Sequence, residues 1–170
     1  GRKIGSTNVA PVTSEVAPAH EGGRSLHVRT ESRPEEEASL SSPAVRATTA
    51  DDEAAAVDII VLAFAADPVA RWTWRQSNQY LLGMPRLVRA FAGNAFTHGS
   101  ACCTADLTGA ALWLPPGVHP DEETLGEVVE STVPPAFRGE IFAAFEQMAK
   151  YHPSEPHWYL PMIGVDPAHQ

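Results

Sequence analysis

The feature that most constrains the fold is an apolar segment near the end of the chain, WYLPMIGV at residues 158–165. Its aromatic and β-branched side chains favour a strand, and turn-forming residues border it on both sides. A strand this apolar is typical of the centre of a sheet whose faces are covered by helices. We therefore predict a further strand beside it and a layered fold of helices and strands.

The segments before that strand alternate between strand and helix patterns. Residues 44–47, 100–105 and 109–114 are strand candidates, the last two forming a hairpin. Apolar residues at helical spacing predict one helix between Thr49 and Asp67, followed by helices over residues 78–98, 121–131 and 135–150. In the last of these, one stripe is predicted to face the core, formed by Phe137, Ile141, Phe145 and Met148. The order predicts an α/β fold with a mixed sheet.

The first 42 residues differ in composition from the rest. They are rich in Gly, Ser, Thr and Pro, contain no aromatic residue and include an acidic run, Glu35 to Glu37. Such a segment buries too little apolar surface to offset the entropy lost on ordering. We therefore predict a disordered low-complexity tail over residues 1–42 and one folded domain over residues 43–170.

The charge of the chain limits its partners. The formal net charge is −9, most of it in residues 43–170, with no basic patch interleaved with aromatic residues. This pattern speaks against nucleic acid and is compatible with a cationic small molecule. The sequence also has neither a secretory signal nor a continuous apolar run of membrane-spanning length. We therefore expect a cytoplasmic protein without a membrane partner.

The two cysteines are adjacent, at Cys102 and Cys103. Neighbouring residues on a strand point to opposite faces, so we predict two small apolar strand residues and no disulfide between them. His98 lies four residues earlier, but there is no second cluster of ligands. We therefore predict no metal site.

Three segments together indicate a family: VRATTADDEAAAVDIIVLAFAADPVARW, GAALWLPPG and YHPSEPHWYLPMIGVDPAHQ. They resemble the first half of a GNAT-family N-acetyltransferase, and most of all the puromycin N-acetyltransferase group, over residues 44–170. The resemblance implies the GNAT fold, a mixed sheet with helices on both faces, truncated at its C-terminal side. Gln170 matches the first residue of the family's Q/R-x-x-G-x-G/A motif, and the glycines of that motif do not occur in the sequence.

The resemblance also implies a cofactor site for acetyl-CoA, which is the co-substrate. The backbone of Ile163, Gly164 and Val165 would hold the pantetheine arm as a pseudo-strand, and one amide there would polarise the thioester carbonyl. Gln170 would begin the turn that cradles the pyrophosphate. Without the rest of that turn, we expect these 170 residues to be inactive alone and to bind acetyl-CoA too weakly for calorimetry.

The acceptor of the acetyl group must lose a proton, and we expect the base that takes it to lie next to the final strand. Glu155, His157 and Tyr159 are the candidates, with a solvated turn for the first and structural packing for the other two as the alternatives. Trp72 and Trp74 predict an apolar wall for the substrate, or equally a plug for the open end of the sheet.

Two classes of function follow. The first is an N-acetyltransferase that moves acetyl from acetyl-CoA to an amine of a small molecule. The second is a non-catalytic fragment or a GNAT-like binding or regulatory module. The sequence beyond Gln170 distinguishes them, because a glycine-rich turn and a downstream tyrosine are expected only for the enzyme.

Overall fold

The computed structural model describes residues 43–170, and the predicted tail of residues 1–42 lies outside the described residues. The described part has four strands, β1 (Val45–Ala47), β2 (Ala101–Thr104), β3 (Gly109–Leu114) and β4 (Tyr159–Val165). Its α-helices are α1 (Glu53–Ala63), α2 (Pro68–Thr73), α3 (Ser77–Ala92), α4 (Asn94–Thr97), α5 (Glu122–Thr132) and α6 (Pro135–Lys150). The predicted strands, hairpin and four longer helices are confirmed, except that the helix predicted over residues 78–98 is divided into α3 and α4, and α2 is an addition.

The four strands form one sheet in the order β1-β2-β3-β4, and each neighbouring pair is antiparallel. The α/β class is confirmed, whereas the predicted mixed sheet is not what the described residues form. The reason is that β2 and β3 are joined by a tight hairpin, and the pair α5–α6 returns the chain to run antiparallel beside β3. Strand β4 lies at the edge of this sheet rather than at its centre.

Helices cover one face of the sheet in the described part of the chain. The buried strand side chains share this face, at Ala101, Cys103, Ala110, Leu112, Leu114 and Met162. Gly164 also lies on it, and a Cβ there would stand 2.6 Å from the Cβ of Ala63 in α1. On the opposite face, Val45 is 69% and Ile163 is 58% exposed. The predicted helices on both faces are therefore seen on one face only.

The two cysteines follow the predicted alternation. Cys103 is buried on the helix-covered face, and Cys102 is half-buried on the other. Burial raises the pKa of the Cys103 thiol, so this side chain stays neutral and packs as a small apolar group. Both thiols are free.

The aromatic segment after α1 begins with the short helix α2. The Asp67 side chain caps α2 by accepting a hydrogen bond from the Ala70 amide at 2.8 Å, and Pro68 occupies the first turn, where no amide donor is needed. Asp67 therefore has a structural role as an N-cap. The next helix, α3, continues through Pro85 to Ala92.

Helix α6 differs most from its predicted packing. Of the four residues in its apolar stripe only Ile141 is buried, and Met148 is 56% exposed. The helix has few contacts with the rest of the domain besides α5, and Phe145 approaches Phe91 of α3 at 6.5 Å between ring centroids. The stripe therefore meets the core at Ile141 and, in part, at Phe137 and Phe145, whereas Phe145 and Met148 also line a cavity.

One ion pair joins β1 to the turn before α1. The two terminal guanidinium nitrogens of Arg46, Nη1 and Nη2, donate to the Asp52 carboxylate at 2.6 and 2.9 Å. The amide and hydroxyl of Thr49 donate to the same carboxylate, at 2.8 and 2.7 Å. The hydrogen bonds from Arg46, and then those from Thr49, lower the pKa of Asp52 well below its usual range.

We expect this pair to make the domain sensitive to acid. Because the folded-state pKa of Asp52 is depressed, its stabilisation is complete above the unfolded value of about 3.9 and is lost as the pH falls further. Asp52→Asn should therefore lower the urea midpoint at pH 7, and the difference from the unmodified chain should shrink towards pH 3. Asp51→Asn, at the exposed neighbouring position, is the control and should leave the urea midpoint unchanged at pH 7 and at pH 3. An Asp52→Asn difference that does not vary with pH would contradict this account.

Candidate functional site

The edge of β4 has backbone groups directed away from the sheet. The Asp166 amide donates to the Thr108 carbonyl of the hairpin at 2.8 Å, which fixes the phase of the ladder between β3 and β4. Backbone groups alternate along an antiparallel strand, so Met162 and Gly164 direct theirs towards β3. Ile163 and Val165 direct theirs to the side that no described strand covers.

In this register, the residues predicted to hold acetyl-CoA direct their backbone groups to different sides of β4. Ile163, Gly164 and Val165 are consecutive, but the backbone groups of Gly164 pair with β3 in the ladder. Gly164 also packs closely against α1, because it has no side chain to keep the two elements apart. The Gln170 side chain donates to the Val165 carbonyl at 2.9 Å, which accounts for one outward acceptor. The outward groups that remain are the amide and carbonyl of Ile163 and the amide of Val165.

A β-bulge interrupts β4 two residues before this edge segment. Leu112 pairs with Met162 and Leu114 pairs with Tyr159, so Leu160 and Pro161 together oppose the single residue between them on β3. Bulges of this kind redirect side chains and occur often beside active sites. Pro161 lacks an amide donor, and an edge strand accommodates proline because one side of the strand forms no ladder hydrogen bonds.

A cavity of about 560 Å³ lies between α5 and α6, at the end of β4 where Tyr159 begins the strand. Its walls are mostly apolar and aromatic, with Phe91 from α3 and Phe145 from α6 facing each other. The volume is in the range of sites that enclose small ligands. The cavity is therefore the main candidate for binding a small molecule in residues 43–170.

A smaller cavity of about 140 Å³ adjoins the first and shares His119, Pro120, His152 and Tyr159 with it. The ring of His152 packs between those of His157, at 4.7 Å, and Tyr159, at 4.6 Å between centroids. Burial raises the pKa of the Tyr159 phenol, which keeps it protonated and able to donate.

The geometry assigns the tautomer of His157. Its Nδ1 lies 2.7 Å from the Glu155 backbone carbonyl, which only accepts, so Nδ1 carries the proton. Its Nε2 is then a lone-pair acceptor, and this buried atom has no hydrogen-bond partner among the described residues.

The structure brings the three candidate bases together. Glu155, His157 and Tyr159 all line the smaller cavity, and Glu155 is exposed while the other two are half-buried. Ile163 lies four residues beyond Tyr159 along β4, a span of roughly 13 Å in an extended strand. The cluster and the open edge are therefore two ends of one strand. Their chemical roles remain predictions.

The two tryptophans of the predicted substrate wall differ in their placement. Trp74 is 1% exposed, donates from its indole nitrogen to the Thr132 hydroxyl at 2.9 Å, and covers Gly83 of α3, where a Cβ would stand 2.5 Å from its ring. It has no surface for a substrate and belongs to the core. Trp72 is 37% exposed and stays a candidate for substrate contact.

The sequence reasoning missed the cavity-lining residues of α5 and α6 and of the segments that flank these two helices. His119 and His152 each stand next to a proline in a turn, where a histidine carries no signal of its own. Phe142 lies outside the stripe assigned to the core, yet it lines the larger cavity. These residues line a cavity because α6 is incompletely buried. That burial depends on tertiary packing, which the sequence pattern does not show.

The chain matches no protein-family model. Within residues 43–170, no helix combines the length and the apolar character needed to cross a bilayer. The geometry of β4 and of the adjoining cavities is therefore what bears on function.

Proposed function

We propose that the protein is an N-acetyltransferase of the GNAT type, which moves acetyl from acetyl-CoA to an amine of a small molecule. The observation that carries the proposal is the open edge of β4, with outward backbone groups at one end of the strand and a ligand-sized cavity at the other. The resemblance of residues 44–170 to such enzymes supports the same assignment.

The open edge suits the pantetheine arm because that arm contains two amides, each with a donor and an acceptor for a strand edge. The outward groups of Ile163 and the amide of Val165 would pair with it as a strand pairs with its neighbour. An N–H aimed at the thioester carbonyl would stabilise the negative charge that develops on its oxygen during attack. Ile163 is the residue to which we assign this donor.

The reaction itself requires one proton transfer from the amine. The nitrogen forms a bond to the acetyl carbon, the carbon–sulfur bond breaks, and its electron pair leaves on sulfur. The nitrogen then gives up a proton to a base, for which His157 is favoured over the exposed Glu155 because its Nε2 has no hydrogen-bond partner among the described residues.

Acetyl transfer is tested on the protein as its source cell produces it. The purified protein is mixed with acetyl-CoA and a series of primary amines, and the release of the CoA thiol is followed. We expect release that depends on both the protein and an amine. A protein that neither releases thiol with any amine nor binds acetyl-CoA would contradict the proposal.

The second candidate is a non-catalytic module that binds another polypeptide. It is favoured by the uncovered face of the sheet, where Val45, Ile163 and Val165 are 69%, 58% and 39% exposed. Exposed apolar side chains on one face of a sheet can mark a surface that binds another protein. Sedimentation of the chain alone and with lysate fractions tests this candidate: a stable complex with no acetyl transfer would favour it, and a monomer with acetyl transfer would exclude it.

A further inference from the structure

Helices α3 and α5 form one outward surface of the domain. The amide of Asp121, the N-cap of α5, donates to the Ala90 carbonyl near the end of α3 at 2.8 Å. At the other end of α5, the Ser131 hydroxyl accepts a hydrogen bond from Arg86 of α3 at 2.9 Å. The two helices are therefore antiparallel neighbours. Both contribute buried side chains to the core, so their exposed residues lie on the side that faces away from it.

Each of these helices carries a row of exposed residues with the spacing i, i+4, i+7, which places a row along one side of a helix. The two rows are Leu82, Arg86 and Arg89 on α3, and Glu123, Glu127 and Glu130 on α5. Helix α3 contains no acidic residue and α5 contains no basic one. Together with Leu81, the two rows define the α3–α5 surface, which is basic along one helix and acidic along the other.

Most of these charges have no opposite charge within the described chain. None of the three carboxylates on α5 forms an ion pair with a described residue, and like charges at their spacing destabilise a helix. Arg86 donates to a neutral hydroxyl, whereas Arg89 Nε lies 3.6 Å from Glu53 Oε1 of α1. Three carboxylates and one guanidinium are therefore free to pair with another molecule.

Apolar side chains adjoin the basic row. Leu81 and Leu82 are 64% and 66% exposed on the outward side of α3. Single exposed apolar residues are ordinary on a protein surface, whereas two together beside charged residues resemble the apolar centre and polar rim of a protein–protein contact. The α3–α5 surface therefore has the composition of an interface.

We propose that the α3–α5 surface binds a second copy of the chain in a two-fold symmetric dimer. A two-fold axis that runs between the two helices, parallel to them, places α3 of each copy over α5 of the other. Arg86 then stands at the level of Glu127 and Glu130 of the other copy, because within one chain it already lies beside Ser131. An axis across the helices would place α3 on α3 and α5 on α5, with like charges opposed.

The self-complementary charge pattern is what selects a second copy as the occupant. An anionic membrane or a nucleic acid would be repelled by the acidic row and by the net charge of −9. No residue of the α3–α5 surface lines either cavity or belongs to β4. The inference therefore goes beyond acetyl transfer and does not depend on it.

Sedimentation equilibrium of the full chain from about 1 to 500 µM tests the inference, a range that includes weak protein–protein affinities. We expect a reversible dimer. Arg86→Glu and Glu127→Arg should each weaken it at least roughly tenfold, because the two-fold axis makes each substitution oppose like charges twice. Glu140→Arg, at an exposed position of α6 outside this surface, is the matched control and should leave the dimer unchanged.

Mixing the two variants is a test that a folding defect does not imitate. In the mixed dimer, the substituted side chain at position 86 of one copy faces the substituted side chain at position 127 of the other. The second contact keeps the natural Arg86 and Glu127. Both contacts then pair opposite charges, so an equimolar mixture of Arg86→Glu and Glu127→Arg should form the dimer again. Failure of the mixture to dimerise would overturn the inference.

Two other results would also overturn the inference. The first is a monomer at every concentration, and the second is a dimer that both charge substitutions leave unchanged. Val45→Ser distinguishes this surface from the uncovered face of the sheet, on which Val45 is 69% exposed. A dimer that Val45→Ser dissociates and Arg86→Glu does not would place the contact on the sheet, which contradicts the inference and favours the second candidate function.

Discussion

Trp74→Ala is expected to lower the free energy of unfolding by about 3–5 kcal/mol, the cost of removing a fully buried aromatic side chain. The indole is 1% exposed, meets the ring of Tyr80 edge-on at 6.0 Å between centroids and covers Gly83. Its removal would leave a cavity between α2, α3 and α5 and would leave the Thr132 hydroxyl without its donor. Urea denaturation followed by circular dichroism measures the change.

Trp72→Ala provides the comparison, because it removes the same side chain two residues earlier from a position that is 37% exposed. It should cost less than about 1 kcal/mol, as most surface substitutions do. Equal losses for the two variants would contradict the placement of Trp74 in the core and would restore the substrate wall predicted from the sequence.

The second large effect is expected from proline substitution along β4. Gly164→Pro removes an amide that points to β3. It also adds carbon atoms at a position where even a Cβ would stand 2.6 Å from the Cβ of Ala63. Loss of the ladder hydrogen bond and overpacking each cost about 1–3 kcal/mol. Ile163→Pro removes an amide that points to the open edge, and it should cost no more than about 1 kcal/mol.

This pair of variants tests the register of β4 by denaturation alone. The natural Pro161 already shows that this strand accommodates proline next to its bulge. If Ile163→Pro destabilised the domain more than Gly164→Pro, the backbone groups assigned to the open edge would be those in the ladder.

The sequence predicted the order of the longer elements because each has a strong local signal. The hairpin of β2 and β3 and the start of α6 at Pro135 follow from turn residues and apolar spacing, and both are confirmed. Helix α2 was not predicted, since its six residues are too few for a periodic pattern. Its N-cap, Asp67, is predicted from the sequence as the end of the preceding helix.

The arrangement of the elements was harder to predict than their identity. The apolar stripe of α6 has the same spacing whether it faces a core or a cavity, so its sequence does not show that Phe145 and Met148 line an open space. Likewise, the sequence of β4 indicates a strand but not the phase of its ladder. That phase depends on the pairing with β3, and it decides that Ile163 rather than Gly164 directs its amide to the edge.

Hydrogen exchange at the four amides from Met162 to Val165, measured by NMR with and without S-acetylpantetheine, tests the central claim most directly. This compound carries the pantetheine arm without the phosphates, so even a dissociation constant in the millimolar range, about −4 kcal/mol, is measurable at high concentration. Without ligand, we predict slow exchange at Met162 and Gly164 and fast exchange at Ile163 and Val165. At about ten times the dissociation constant, exchange at Ile163 and Val165 should slow roughly tenfold. Exchange at these two amides that stays fast while the ligand is bound, or that is already slow without it, would contradict the account.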